Sequence, residues 1–193
     1  MAHDETKHRL RTQVLQRRDA LTTEQRIEGS LALLAHASAI DVPAGGIVSG
    51  FSPIRSEIDI RPLMADLRET GSRLCLPAIL DRTTIVFREL VRGAPLIDTG
   101  FGTVGPGPEA PELEPDVMLV PLAAFDRHGY RIGYGAGHYD RAIARLHDSG
   151  RKPLLVGVGF DLQEVDAVPR EPHDVAMHAI LTPSGLRFTE PRL

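Results

Sequence analysis

Apolar positions along this chain come in two rhythms, a helical spacing and short unbroken runs, and the two alternate. Residues from about 4 to 20 carry the helical rhythm. "TTEQ", Thr22 to Gln25, has the capping-box form and predicts a second helix from there to about Ala37. "GGIVSGF", Gly45 to Phe51, reads as a short buried strand between glycines. "DIRPLMADLRETG" predicts a helix closing on Gly71, followed by the strands "RLCLPAI" and "TTIVFREL". Gly93 to Pro115 is rich in Gly, Pro and Glu and reads as a long surface loop. "DVMLVPL" resumes strand character, and "YDRAIARLHDSG" predicts a helix that stops at Gly150. "PLLVGVGF" is almost continuously apolar, as a strand covered on both faces must be. "AMHAILTPSGL" predicts a last short strand. Strands and helices in alternation predict an α/β fold with a mainly parallel sheet flanked by helices, one domain across residues 1–193.

Composition narrows the class. The chain is 42% apolar and 25% charged, an ordinary globular mixture. Its net charge of -4 and pI of about 6.1 argue against a general nucleic-acid binder. The opening stretch is charged and lacks the apolar core of a signal peptide, and no apolar run reaches membrane-spanning length. A lone cysteine, Cys75, allows no internal disulfide and fits a reducing compartment. A cytoplasmic, monomeric chain acting on small molecules, with no nucleic-acid or membrane partner, is the expectation.

Chemistry concentrates in "RIGYGAGHYDR", Arg131 to Arg141, which follows a strand and precedes a helix. In such sheets ligands bind beyond the carboxyl ends of strands. Gly133, Gly135 and Gly137 would let backbone N–H groups approach an anion, with the dipole of the next helix behind them. Arg131 and Arg141 flank the loop, and Asp140 stands where a carboxylate could hold Mg²⁺ beside a phosphate. The spacing is neither G-x-G-x-x-G nor a P-loop, so a tight turn with Asp140 as a first-turn helix carboxylate is equally consistent.

Other candidates are distributed along the chain. Lys7, Arg11 and Arg18 lie within about 40° of one another on a helical projection, beside the apolar sector of Leu10, Val14 and Leu21. They either reach a cleft or merely snorkel, paired with Asp4 or Glu5. Glu57 and Asp59 follow the first strand and could accept hydrogen bonds from a polar heterocycle, or serve as helix-start charges. "PREPHDVAMH" groups Glu171, His173, Asp174 and His178. Its histidine spacing lacks an HExxH frame, so a carboxylate for Mg²⁺ at Asp174 is the better reading than zinc. With no G-x-S-x-G and Cys75 inside an apolar strand, a covalent protein nucleophile is not expected.

"VPLAAFDRHGYRIGYGAGHYDR" followed by "VGVGFDLQEVDAVPREPHDVAMHAILT", with the earlier "KHRLR" and "SPIRSEIDI", closely resembles the 5-formyltetrahydrofolate cyclo-ligase family, also called 5,10-methenyltetrahydrofolate synthetases. The resemblance runs from about Lys7 to Gly185. It implies the fold shared with sugar-phosphate isomerases and CoA transferases. It implies ATP held by Lys7, Arg11, Arg131, Gly133, Tyr134, Gly135, Ala136, Gly137, His138 and Tyr139, with Arg131 as the catalytic cation. It implies Mg²⁺ at Asp140 and Asp174, and the reduced folate at Glu57, His138 and Tyr139. Two departures stand out: His138 replaces the family's usual tyrosine, and "FGTVGPGPE" replaces its G-I-x-E-P stretch without a matching acid. Rival readings are a sugar-phosphate isomerase or acyl-CoA transferase working without ATP, and a nucleotide-sensing or RNA-binding relative, against which the acidic balance, 5% aromatics and absence of Trp stand.

Overall fold

The structure is a computed structural model that describes residues 2–100, 102–171 and 174–189, with side chains from Glu5 onward. His173 and the side chain of Asp4 therefore lie outside the described residues. A seven-stranded sheet forms the centre. Its strands are β1 (Ile47–Ser49), β2 (Arg73–Ile79), β3 (Ile85–Glu89), β6 (Val117–Pro121), β9 (Leu154–Val158), β10 (Ala179–Thr182) and β11 (Gly185–Phe188). They lie in the order β11-β10-β9-β6-β1-β2-β3. The inner strands β10, β9, β6, β1 and β2 pair in parallel, and β11 and β3 close the two edges antiparallel. The α/β expectation with a mainly parallel sheet holds. β6 is buried at four of its five positions and β9 likewise, which is why both read as unbroken apolar runs.

Helix α3 (Arg61–Glu69) connects β1 to β2, starting on Pro62 in its first turn and burying Leu63, Met64 and Leu67. It shares one face of the sheet with α2 (Thr23–Ala32) and the 3-10 segment Leu33–Ala39. The capping box forms as expected: Gln25 N donates to Thr22 Oγ1 and Thr22 N to Gln25 Oε1, at 3.2 and 2.9 Å. The helix ends sooner than its sequence suggests because the chain tightens into 3-10 turns after Ala32. Helix α4 (His138–Asp148) covers the other face, with Ala142, Ile143 and Leu146 buried against Cys75, Ile85 and Met118.

Two expectations are corrected. The Gly93–Pro115 stretch is not an unstructured loop, since β4 (Leu96–Gly100) and β5 (Thr103–Pro106) form an antiparallel hairpin within it. The strands are short and mostly exposed, so no apolar alternation announces them. The tail likewise makes two strands, β10 and β11, joined by a tight turn.

Beyond β6 the chain forms a small hairpin, β7 (Ala124–Phe125) and β8 (Arg131–Ile132). Buried Asp126 organises its turn, accepting from His128 N (2.9 Å), Tyr130 N (3.2 Å) and, from another segment, Val168 N (2.9 Å). Gly129, with φ of 81°, completes the turn so closely that a Cβ there would stand 2.3 Å from the carbonyl oxygen of Met177. Gly129→Ala is therefore expected to cost about 2 kcal/mol or more of folding free energy, from a left-handed backbone plus a clash with main chain, read by denaturant unfolding. Helix α1 (Ala2–Asp19) lies across this hairpin. Leu10 and Val14 pack on Ala124, Ile132, Val165 and Val168. Among the described residues no helix is long and apolar enough to cross a membrane.

Candidate active site

The sheet order reverses between β1 and β6: β1 proceeds through α3 to β2 on one side, while β6 proceeds through α4 to β9 on the other. The loops leaving the carboxyl ends of these two adjacent strands must part there, and the crevice between them is where such sheets bind ligands. One wall is the segment Gly50–Ile60 after β1. The other begins at the glycine loop, residues 133–137, after β8.

Within that loop Gly135 has φ of 98° and Gly137 φ of 63°. The second is the N-cap of α4, and no side chain caps the helix there. The first-turn N–H groups of α4 are thus left to an external acceptor. Gly133 has open space where a Cβ would stand. Arg11 lies over the loop, its guanidinium 3.6 Å from the Cβ position of Gly135. Arg11 Nε is buried with no hydrogen-bond partner. A guanidinium N–H withdrawn from water and given no acceptor is costly, and an entering anion would satisfy it.

The remaining cations are already engaged. Arg131 has a side chain only 6% exposed; its Nη2 donates to Asp140 Oδ1 (3.0 Å) and its Nη1 to the Val175 carbonyl (2.9 Å). Lys7 Nζ donates to Asp174 Oδ2 (2.7 Å) and stands 3.8 Å from Glu171. The two carboxylates expected to serve a metal thus each hold one of the cations expected to serve a phosphate. Among the described residues no cluster of three His, Cys, Asp or Glu side chains is arranged to hold a metal ion alone.

Glu57 lies on the opposite wall, buried, accepting from Ile54 N at 2.8 Å. Burial pushes its pKa up, against the pull of Tyr134, of Ile54 N and of Arg18 and Arg55. Tyr134, from the glycine loop, lies beside Glu57, and burial together with that carboxylate drives the phenol's pKa upward. The left-handed backbone of Arg55 (φ 54°), next to this buried pair, is the one positive-φ residue other than glycine among the described residues.

Not every candidate faces the crevice. His138 Nε2 lies 3.1 Å from the Arg82 carbonyl, and Arg141 donates to the carbonyls of Thr83 and Ala136 at 2.7 and 2.6 Å. Both side chains fasten the loop to the β2–β3 turn. Tyr139, in the first turn of α4, packs its ring in the core, while its hydroxyl, buried and unpartnered, is within electrostatic reach of Glu57 and Arg131 at the crevice. Asp59 pairs outward with exposed Arg61 at 2.6 Å. His178 Nδ1 accepts from Leu155 N (2.9 Å), within the sheet. Burial pushes the Cys75 thiol up to about 12, which leaves it no thiolate for nucleophilic chemistry. Arg18, present in the helix-face pattern but given no part in the site, is fully buried between the two walls. Its signal was its projection beside Lys7 and Arg11.

A model of the 5-formyltetrahydrofolate cyclo-ligase family matches residues 3–183. The chain belongs to this family. A 5-formyltetrahydrofolate cyclo-ligase of Mycolicibacterium smegmatis is 35% identical over 188 residues, 92% of this chain and 94% of the relative. One of Escherichia coli K12 is 31% identical over 178 residues, 89% and 97% of the two chains. The solved 5,10-methenyltetrahydrofolate synthetase of Aquifex aeolicus superposes with a TM-score of 0.79 at 28% identity, covering 97% of this chain and 94% of that one. The region shared with the cyclo-ligase family contains every crevice residue from Lys7 to Asp174.

The buried carboxylate makes stability pH-dependent in this cyclo-ligase-family chain. Because the folded pKa of Glu57 lies above its unfolded value, its favourable contribution is complete below that unfolded value. It is lost as pH rises through the folded one. Glu57→Gln is therefore expected to gain stability relative to the parent as pH rises from about 4 towards neutrality. Denaturant titrations across that range check it; a constant difference contradicts it.

Proposed function

We propose that the chain converts 5-formyltetrahydrofolate into 5,10-methenyltetrahydrofolate at the expense of ATP, which leaves as ADP and phosphate. The formyl oxygen on N5 is a poor leaving group because it belongs to an amide. Transfer of the γ-phosphoryl to that oxygen makes it a phosphate ester. N10 then attacks the formyl carbon, the ring closes, and the carbon–oxygen bond breaks, the departing phosphate carrying off the proton that N10 gives up. No protein nucleophile is needed; the work is positioning and offsetting charge.

The observation that carries this reading is the buried, partnerless Nε of Arg11 over a glycine loop that ends on an uncapped helix N-terminus. That is a site prepared for an anion with several oxygens. Family membership supports the folate as the other substrate. In this reading Lys7, Arg11 and Arg131 take up phosphate charge, and the backbone of residues 133–137 closes on the nucleotide. Buried Glu57 receives the polar N–H groups of the pterin. Asp140 and Asp174 fit Mg²⁺, which takes one or two carboxylates beside phosphate oxygens. When bound, the ion would offset triphosphate charge. Arg131 and Lys7 would then exchange their carboxylate partners for phosphate oxygens.

Protein mixed with Mg²⁺, ATP and 5-formyltetrahydrofolate should yield the absorbance of the methenyl product together with one ADP per turnover. Folded protein that forms no product, or forms it equally without ATP, overturns the reading.

A further inference from the structure

Arg18 is 1% exposed, the most deeply buried charge among the described residues. A guanidinium so withdrawn from water is tolerated only when its donors are matched. Its Nε donates to Ser56 Oγ at 3.0 Å and its Nη1 to the Tyr134 hydroxyl at 2.8 Å. Its carbon stands 6.0 Å from the centre of the Tyr134 ring. Beyond each of these partners lies a carboxylate. Ser56 Oγ donates to Asp19 Oδ1, and Glu57 stands beside Tyr134. One guanidinium therefore joins three separate stretches of chain. They are the end of α1, the segment after β1 that carries Ser56 and Glu57, and the glycine loop that carries Tyr134.

We propose that Arg18 is a positioning residue that locks the glycine loop to the segment after β1, so that one guanidinium sets the nucleotide wall and the folate wall of the crevice together. The naming of the walls rests on the function proposed above; the lock itself does not. The two bonds leave different nitrogens of a rigid planar fork, towards two loops. A lysine ammonium is a single point on a flexible stem, and it cannot fix the angle between the two partners. Without the lock, Tyr134 is free to turn away from Glu57, and the carboxylate loses the neighbour that orients it. Arg18 touches neither substrate in this account. It acts through Tyr134 and Ser56.

The chain holds three tyrosines and no tryptophan, so its near-ultraviolet circular dichroism reports on tyrosine immobilisation. Arg18→Met and Arg18→Lys, with far-ultraviolet spectra unchanged, are expected to lose the part of that band that Tyr134→Phe loses. Both should raise the KM for folate and for ATP roughly tenfold, within the coupling range of contacting residues, and adding Tyr134→Phe to Arg18→Met should raise neither further. An intact tyrosine band in folded Arg18→Met, or additive effects in the double variant, overturns the proposal. So does full recovery in Arg18→Lys, because charge alone would then suffice. Should Arg18→Met not fold, Tyr134→Phe decides, since it keeps the arginine and severs one arm; an unchanged folate KM refutes the lock. Absence of turnover in the parent protein overturns the proposed reaction, while the spectra still decide the lock.

Discussion

Arg131→Ala is expected to lower ATP-dependent turnover on the order of 10²-fold or more, the usual cost of removing one preorganised charge-stabilising donor. The side chain is 6% exposed and its guanidinium is fixed from two sides, by Asp140 and by the Val175 carbonyl. Once the nucleotide and Mg²⁺ have drawn Asp140 away, the Val175 carbonyl still holds the cation, so it is in place before charge develops on a transferring phosphoryl group, which is where its advantage lies. The fold should survive. Arg131 belongs to none of the three apolar clusters, and Asp140, a quarter exposed, can turn to water once its partner is gone. Steady-state rates in 5-formyltetrahydrofolate and Mg²⁺-ATP, beside a thermal melt, make the comparison. Turnover within a few-fold of the parent removes Arg131 from the reaction.

The second large effect is on binding, and on one substrate. Glu57→Ala is expected to raise the folate KM by roughly tenfold to a hundredfold, the range for leaving buried hydrogen-bonding groups unpaired, with the ATP KM nearly unchanged. Glu57 has one oxygen taken by Ile54 N, and its remaining lone pairs are what a pterin would meet. Its burial strengthens such bonds and makes their loss costly. Varying each substrate separately tests this. Equal effects on both KM values contradict the assignment, and would match instead the pattern expected for Arg18.

The sheet was legible because its inner strands are covered on both faces, and such strands must be apolar throughout; "VMLVP" and "LLVGV" could hardly be anything else. The glycine loop was legible because a strand, an N-terminal arginine and a helix frame it within a dozen residues. The hairpin of β4 and β5 was not, because its residues are mostly exposed and its stability comes from packing on β2 and β3. The role of Arg18 was hidden for a different reason. Its partners Ser56 and Tyr134 lie 38 and 116 residues away, and no local periodicity encodes that meeting. The pairing of Lys7 with Asp174 spans 167 residues and is equally invisible. His138 shows the converse. Its position in the motif suggested ligand contact, but its side chain turns to the β2–β3 turn.

Helix α1 precedes its seat in the chain by more than a hundred residues: it rests on residues 124–168, and its Lys7 meets Asp174, 167 positions on. During synthesis this helix has its seat supplied only after most of the polypeptide has emerged. A fragment that ends before residue 124 therefore lacks the seat of α1 and the glycine loop alike, and holds only the wall that follows β1.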